Sequence, residues 1–214
     1  MNIKERTVAA LRLLDVGDRF AHLALPKAAV LIPLFVKEEE LHTLMTLRSM
    51  TLRTNAGEVC FPGGKRDPSD RDDVETALRE AEEEIGLRSD QVQLVCKLTP
   101  VINKSGLMVT PVVGFIDETF CPSPNPAEVS AVFTLPLDVF TRENNHAQLQ
   151  GVPGLVGPLH SFHYEDLMSG RHYHIWGLTA ALAMLVAVCA LHKRTEFEVG
   201  FDFENPLQYL NRTY

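Results

Sequence analysis

Glu80, Glu83 and Glu84 stand three and four residues apart in Arg79-Glu80-Ala81-Glu82-Glu83-Glu84-Ile85-Gly86-Leu87, so on a helix all three project from one side. Like charges at this spacing repel by roughly 0.2–0.5 kcal/mol per pair. A hard divalent cation relieves that repulsion, and Mg²⁺ in particular keeps waters and takes phosphate oxygens as further ligands. The plainer alternative is a solvated, salt-bridged helix face, which is what most acidic faces are. Around these acids Arg48, Arg53, Lys65, Arg66 and Arg79 gather positive charge on a chain whose formal net charge is −8. Arginine forks pair bidentately with phosphate oxygens, so acids and arginines together suit a phosphorylated ligand. Ion pairing among these same side chains is the competing reading.

The elements that must position these groups follow from pattern. Val74, Ala77, Leu78, Ala81 and Ile85 form an apolar stripe separate from the acids, so the helix can pack on a sheet while Glu80, Glu83 and Glu84 stay available. Glu82 points away, as a solvated residue. Asp72 and Asp73 are start signals, and Gly86 is placed for a left-handed stop. Upstream, Met1 to Leu14 reads as an amphipathic helix, and Ala29 to Val36 and Leu41 to Arg48 read as strands separated by Lys37-Glu38-Glu39-Glu40. Downstream, strands are expected near Val92–Leu98, Val109–Ile116 and Val132–Leu135, with a turn at Asn103-Lys104-Ser105-Gly106. Strands flanking helices in this mixture predict an α/β or α+β sandwich.

The acid helix resembles the Nudix box, G-x5-E-x7-R-E-U-x-E-E-x-G-U with U aliphatic, and Arg79 to Leu87 meet every specified position if Ala81 is accepted at U. From Gly64 the expected Glu is Asp70, and the run from there to Arg79 is one residue longer than the pattern. In that family the upstream acid pairs with the box arginine. Asp70 and Glu75 are both candidates, the latter as the acid four residues before Arg79. A second signature lies just ahead: Leu44-Met45-Thr46-Leu47-Arg48-Ser49, Arg53, Gly57 and Phe61-Pro62-Gly63-Gly64 resemble the coenzyme A diphosphatase branch, and Glu58-Val59-Cys60 with Lys65-Arg66-Asp67-Pro68 are most like its peroxisomal group.

The resemblance implies a Nudix-type α/β/α sandwich with a mixed sheet, read as one domain over residues 1–214, with the box at about 64–87 and the branch signature at about 44–64. It implies hydrolysis of the diphosphate of coenzyme A or acyl-coenzyme A, with Mg²⁺ or Mn²⁺ as cofactor. Glu80, Glu83, Glu84 and the carbonyl of Gly63 or Gly64 are the implied metal ligands, and Arg79 and Glu80 belong to the catalytic group. Glu128, in the loop Pro124-Asn125-Pro126-Ala127-Glu128-Val129, is a further candidate base or ligand, against a reading as a helix-starting acid. Arg48, Arg53, Lys65 and Arg66 are the implied substrate-binding residues. Other Nudix substrates (a dinucleotide, ADP-ribose, a capped RNA) and a non-catalytic module that binds acyl-coenzyme A remain as alternatives.

Composition sets the outer bounds. At 214 residues and 45% hydrophobic, the chain is long enough for a well-buried core, and its acidity argues against broad binding of nucleic acid or anionic membrane. Cys60, Cys96, Cys121 and Cys189 make no C-x-x-C pair, which points to a reducing compartment, and Cys60 reads as a small buried hydrophobe. Residues 175–191 are the most apolar run, short of a membrane span, and are expected as a buried helix. His160, His163, His172 and His174 could suggest zinc, but without cysteine or carboxylate partners they read as polar strand residues lining the cleft. The resemblance implies a peroxisomal protein, although the chain closes on Asn211-Arg212-Thr213-Tyr214 instead of a Ser-Lys-Leu-type address.

Overall fold

The computed structural model describes residues 2–103, 105–150, 158–200 and 202. Lys104 of the expected turn, Met1 and the terminal residues Asn211 to Tyr214 lie outside the described residues.

A mixed sheet organises the molecule. Strand β1 (Lys27–Lys37) turns back into β2 (Glu40–Arg48) through Glu38 and Glu39, both with positive φ of 50° and 62°, as a two-residue hairpin of this hand requires. On its other side β1 runs parallel to β7 (Met108–Phe115), which also pairs with β5 (Gln93–Lys97) and β6 (Val101–Ile102). Three more strands join at the site end. The short β3 (Val59–Cys60) and the longer β8 (Val129–Pro136) pair with β2, and β4 (Gly63–Lys65) pairs with β1 so that Ala29 faces Gly64 and Val30 faces Gly63. Sequence patterning shows β1, β2, β5, β7 and β8 but not the short strands, which hold too few residues for any alternation.

Helix α2 (Asp73–Ile85) covers one face, with Ala77, Ala81 and Ile85 fully buried against Ala29, Leu31 and Leu44. The opposite face packs against α1 (Ile3–Arg12), α3 (Gly177–Leu191) and a smaller antiparallel sheet of β9 (His146–Leu149), β10 (Leu159–Asp166) and β11 (Arg171–Trp176). Helices thus flank a mixed sheet, as expected.

One boundary moves. The apolar run expected as a helix from Ile175 begins instead as the end of β11, because Tyr173 and Ile175 alternate inward with exposed His174 and Trp176. Gly177, at φ +65°, turns the corner into α3. That helix is apolar on every side, as a helix buried all round must be, and no helix among the described residues is long and apolar enough to cross a membrane.

Candidate active site

The acid face is held by two backbone features. Asp72 caps α2 by accepting from the Glu75 amide at 2.8 Å, and Gly86 closes it at φ +73° with its amide on the Ala81 and Glu82 carbonyls. These ends set the helix's rotation, so that Glu80 and Glu84 face β4 while Glu82 is exposed. The Gly63 amide donates to Glu84 Oε2 at 3.2 Å. At Gly64 a Cβ would fall among the Glu80 carboxylate atoms, so the glycine is what allows that side chain to lie against the strand.

Glu84 is only 4% exposed. Burial pushes its carboxyl up to about 8, with Glu80 and Glu128 adding to the rise while the Gly63 amide and Arg48 pull against it. Glu80 is likewise raised by burial, with Arg79 opposing and Glu83 and Glu128 contributing. Glu80, Glu83, Glu84 and Glu128 therefore act on one another, with Glu83 the half-exposed member, bonded like Glu80 to Arg79.

Arg79 ties the face together. Its Nε and Nη2 donate to the two oxygens of Asp70 at 2.9 and 3.0 Å, Nη1 reaches Glu80 at 3.1 Å and Glu83 at 3.0 Å, and Nη2 also meets the Lys65 carbonyl at 3.1 Å. The partner of the box arginine is thus Asp70, since Glu75 is occupied by Arg71. Asp70 also accepts from the Asp67 amide and the Thr76 hydroxyl, each at 2.9 Å, and these bonds with the Arg79 fork, the largest cause, hold its carboxyl down at about 2. Thr76, fully buried, is a site residue that sequence patterning does not single out; a hydroxyl adjoining the apolar stripe is the one signal it offers.

The remaining candidates separate by position. The loop before β8 satisfies the open end of α2, with the Ser123 amide on Ile85 O and the Asn125 amide on Glu84 O, both at 2.9 Å. That places Glu128 beside the helix acids, ahead of a strand and not at the start of a helix, and its carbonyl accepts from the Ser49 amide at 2.8 Å. Arg48 ends β2 in the same corner. Arg53 stands exposed on the loop that leads to Gly57, Lys65 is exposed, and Arg66 directs its guanidinium at the carbonyls of Asp70 (3.2 Å) and Arg71 (2.6 Å) and towards Asp73. The donors of Arg66 are therefore engaged within its own loop.

The model of the NUDIX domain matches residues 25–153, which span the sheet, the acid helix and the Glu128 loop. The chain belongs to the Nudix family. Among its relatives is the peroxisomal coenzyme A diphosphatase NUDT7 of Mus musculus, 43% identical over 214 residues, covering 100% of this chain and 91% of the relative. Nudix hydrolase 15, mitochondrial, of Arabidopsis thaliana is 43% identical over 175 residues, covering 79% of this chain and 59% of the relative. Of solved structures, a NUDIX hydrolase from Alicyclobacillus acidocaldarius aligns over 83% of this chain and all of its own at 16% identity, with a TM-score of 0.49.

As a Nudix hydrolase the chain should present oxygen donors to a divalent ion. Among the described residues no three His, Cys, Asp or Glu side chains already converge as a metal cluster, because Arg79 draws Glu83 aside and Gly63 holds Glu84. The donor set nevertheless fits. Glu84 is a buried carboxyl with no cation in hydrogen-bond contact, raised well above its ordinary value, and the glycine cradle leaves room for Glu80 alone.

The histidines do not act as a set in this Nudix fold. His160 is buried, its Nδ1 2.8 Å from His146 Nε2, while His163 and His174 stack at 4.6 Å on the face of the small sheet turned away from the core. His172, two residues before His174 on β11, shares that outer face, while His160 points into the core. Cys60 lies beside Thr46, its Sγ 3.3 Å from the hydroxyl, and burial pushes the thiol up, so it is a poor nucleophile.

Proposed function

We propose that this Nudix hydrolase cleaves the diphosphate bond of coenzyme A and acyl-coenzyme A esters, giving adenosine 3′,5′-bisphosphate and 4′-phosphopantetheine or its acyl form. The observation that carries the reading is that the Gly63-Gly64 end of the Leu44 to Gly64 signature lies directly on the acid helix, Gly63 bonding Glu84 and Gly64 clearing Glu80. The match to a coenzyme A diphosphatase over the whole of this chain supports the substrate class. A peroxisomal setting and a single domain over the chain belong to the same reading.

Glu80 and Glu84, with Glu83 and the carbonyl of Gly64, would hold Mg²⁺ or Mn²⁺. Such an ion, when bound, neutralises phosphoryl oxygens and lowers the pKa of an attacking water. Glu80 or Glu128 takes the proton from that water as its oxygen bonds to phosphorus and the bridging P–O bond breaks, the bridging oxygen leaving on the departing phosphate. Asp70 and Arg79 keep the helix in register throughout. Lys65, whose carbonyl accepts from Arg79, and Arg53 on the exposed loop after β2 are both solvent-facing cations available to the outer phosphates.

Incubation with coenzyme A and Mg²⁺ or Mn²⁺, followed by separation of products, tests this. Adenosine 3′,5′-bisphosphate and phosphopantetheine in equal amounts are expected. Turnover of ADP-ribose or a dinucleotide with coenzyme A left intact would overturn the substrate assignment.

A further inference from the structure

The two arginines of the branch signature sit in very different surroundings. Arg48 stands at the one irregularity of the β2–β8 pairing: Leu47 faces Ala131 and Arg48 faces Val129, leaving Ser130 as an extra residue. A bulge of this kind re-aims a side chain, and bulges collect next to active sites. Here it is fastened from every direction. The Ser130 hydroxyl reaches the Leu47 and Arg48 carbonyls at 3.2 and 3.4 Å, the Arg48 amide donates to Glu58 O at 2.9 Å, and the Gly57 amide donates to Arg48 O at 3.1 Å.

The side chain so aimed has an unanswered donor. Nε of Arg48 is buried and has no hydrogen-bond partner. Buried donors in folded proteins are almost always paired, and a guanidinium donor is among the more expensive to leave open. Its charge lies close enough to Glu84 and Cys60 to act on both, and the next residue, Ser49, is bonded to the carbonyl of Glu128. The open donor therefore belongs to the corner where Glu84, Gly63 and Glu128 meet. Arg53, five residues on, is exposed and makes no hydrogen bond or ion pair among the described residues.

We infer that Arg48 and Arg53 divide the anions of the ligand: Arg48 donates from its buried edge to a phosphoryl oxygen of the diphosphate being cleaved, and Arg53 meets a phosphate remote from it. This deepens, and rests on, the reading of the site as a coenzyme A diphosphatase, in which the remote group is the 3′-phosphate. Charge develops on the phosphoryl oxygens as the bond breaks, so a fixed donor there acts on turnover. A contact to a phosphate that does not react acts on binding alone, equally in ground and transition states.

Steady-state kinetics with coenzyme A and with its 3′-dephospho form separate the two roles in Arg48→Gln, Arg48→Lys and Arg53→Ala. Arg48→Gln is expected to lower kcat by roughly a hundredfold for both substrates alike, the loss typical of removing one fixed transition-state donor. Arg48→Lys keeps the charge without the planar fork, guards against a folding defect, and should recover only part of the rate. Arg53→Ala should raise KM for coenzyme A about tenfold or more and leave the dephospho form unchanged, as loss of one charge-assisted contact of roughly 1.4 kcal/mol would. Thermal melts of each variant show that the folded protein is being compared. A rise in KM confined to coenzyme A in the Arg48 variants, or unchanged kcat in a folded Arg48→Gln, would overturn the division. Should the wild type cleave ADP-ribose and not coenzyme A, the substrate reading fails by itself. The Arg48 effect is then measured on ADP-ribose, where a full kcat in Arg48→Gln overturns the contact with the reacting diphosphate and a hundredfold loss upholds it.

Discussion

Asp70 and Arg79 form a two-pronged ion pair at 2.9 and 3.0 Å, with the carboxylate side chain only 2% exposed. Asp70 is one methylene shorter than the glutamate of the family pattern, and the loop carrying it is one residue longer. The Asp67 amide and the Thr76 hydroxyl fix it in place. Asp70→Asn leaves a partly buried guanidinium facing a neutral amide and should cost about 3 kcal/mol, the lower end for breaking a buried pair, because Arg79 keeps some contact with water. The sign with pH is definite. The folded carboxyl sits at about 2, below its ordinary 3.8, so this stabilisation is present above pH 3.8 and is lost as pH falls through about 2. Urea midpoints measured from pH 5 to pH 2.5 should fall more steeply for wild type than for Asp70→Asn. Parallel curves would show that the pair adds nothing.

The acid helix was legible because its acids and its apolar stripe each repeat with helical spacing, and Asp72 and Gly86 mark its ends. The identity of the arginine's partner was not. Asp70 and Glu75 both satisfy the spacing, and only the turn that returns Asp70 over the first turn of α2 decides between them. β3 and β4 stayed hidden because two or three residues show no period, yet β4 is what brings Gly63 and Gly64 against the glutamates. Arg48 and Arg66 look alike as letters in a basic cluster. Their difference, one with an open donor and the other bonded to its own loop, arises from backbone geometry that no spacing rule contains.

Glu84→Gln should remove most turnover, at least the upper end of the ~10–100-fold loss that follows removal of a metal site's supporting groups. Glu83→Gln should be milder, since Glu83 is half-exposed and held by Arg79. Stability supplies a second readout. Burial holds the Glu84 carboxyl up at about 8, so between an ordinary glutamate's 4.5 and 8 the folded protein binds a proton that the unfolded chain has released. The contribution of Glu84 to stability therefore falls as pH rises through that window. Melts in a chelator from pH 5.5 to 8.5 should show this decline in wild type and a flatter profile in Glu84→Gln. Added Mn²⁺ should stabilise wild type, more at pH 8.5 than at pH 6. Equal stabilisation of the Gln variant by Mn²⁺ would remove Glu84 from the ion's ligands.

Gly64→Ala places a methyl group where the Glu80 carboxylate now lies. Strand β4 cannot retreat, because Gly64 is paired with Ala29, so Glu80 must swing out and loosen its bond to Arg79. Turnover should drop by about 10–100-fold, as for other groups that orient a metal site, with a much smaller change in melting temperature. An unchanged kcat in the folded variant would show that the position of Glu80 against the strand is irrelevant to the reaction.

Leu185, fully buried in α3, belongs to the core on the face of the sheet opposite the acid helix, the same core that takes in Ile32, Leu34 and Phe133. Because α3 is apolar all round and enclosed, Leu185→Ala should open a cavity and cost about 2–5 kcal/mol of folding stability. The sheet stands between this cavity and Glu80, Glu84 and Arg79, so KM and kcat per folded molecule should remain those of wild type at temperatures below the shifted melt. Denaturant unfolding gives the first quantity and active-site-normalised kinetics the second. A stability loss under about 1 kcal/mol would mean that the helix is not enclosed as described, whereas a large kcat loss at full folding would mean that α3 reaches the chemistry through the sheet.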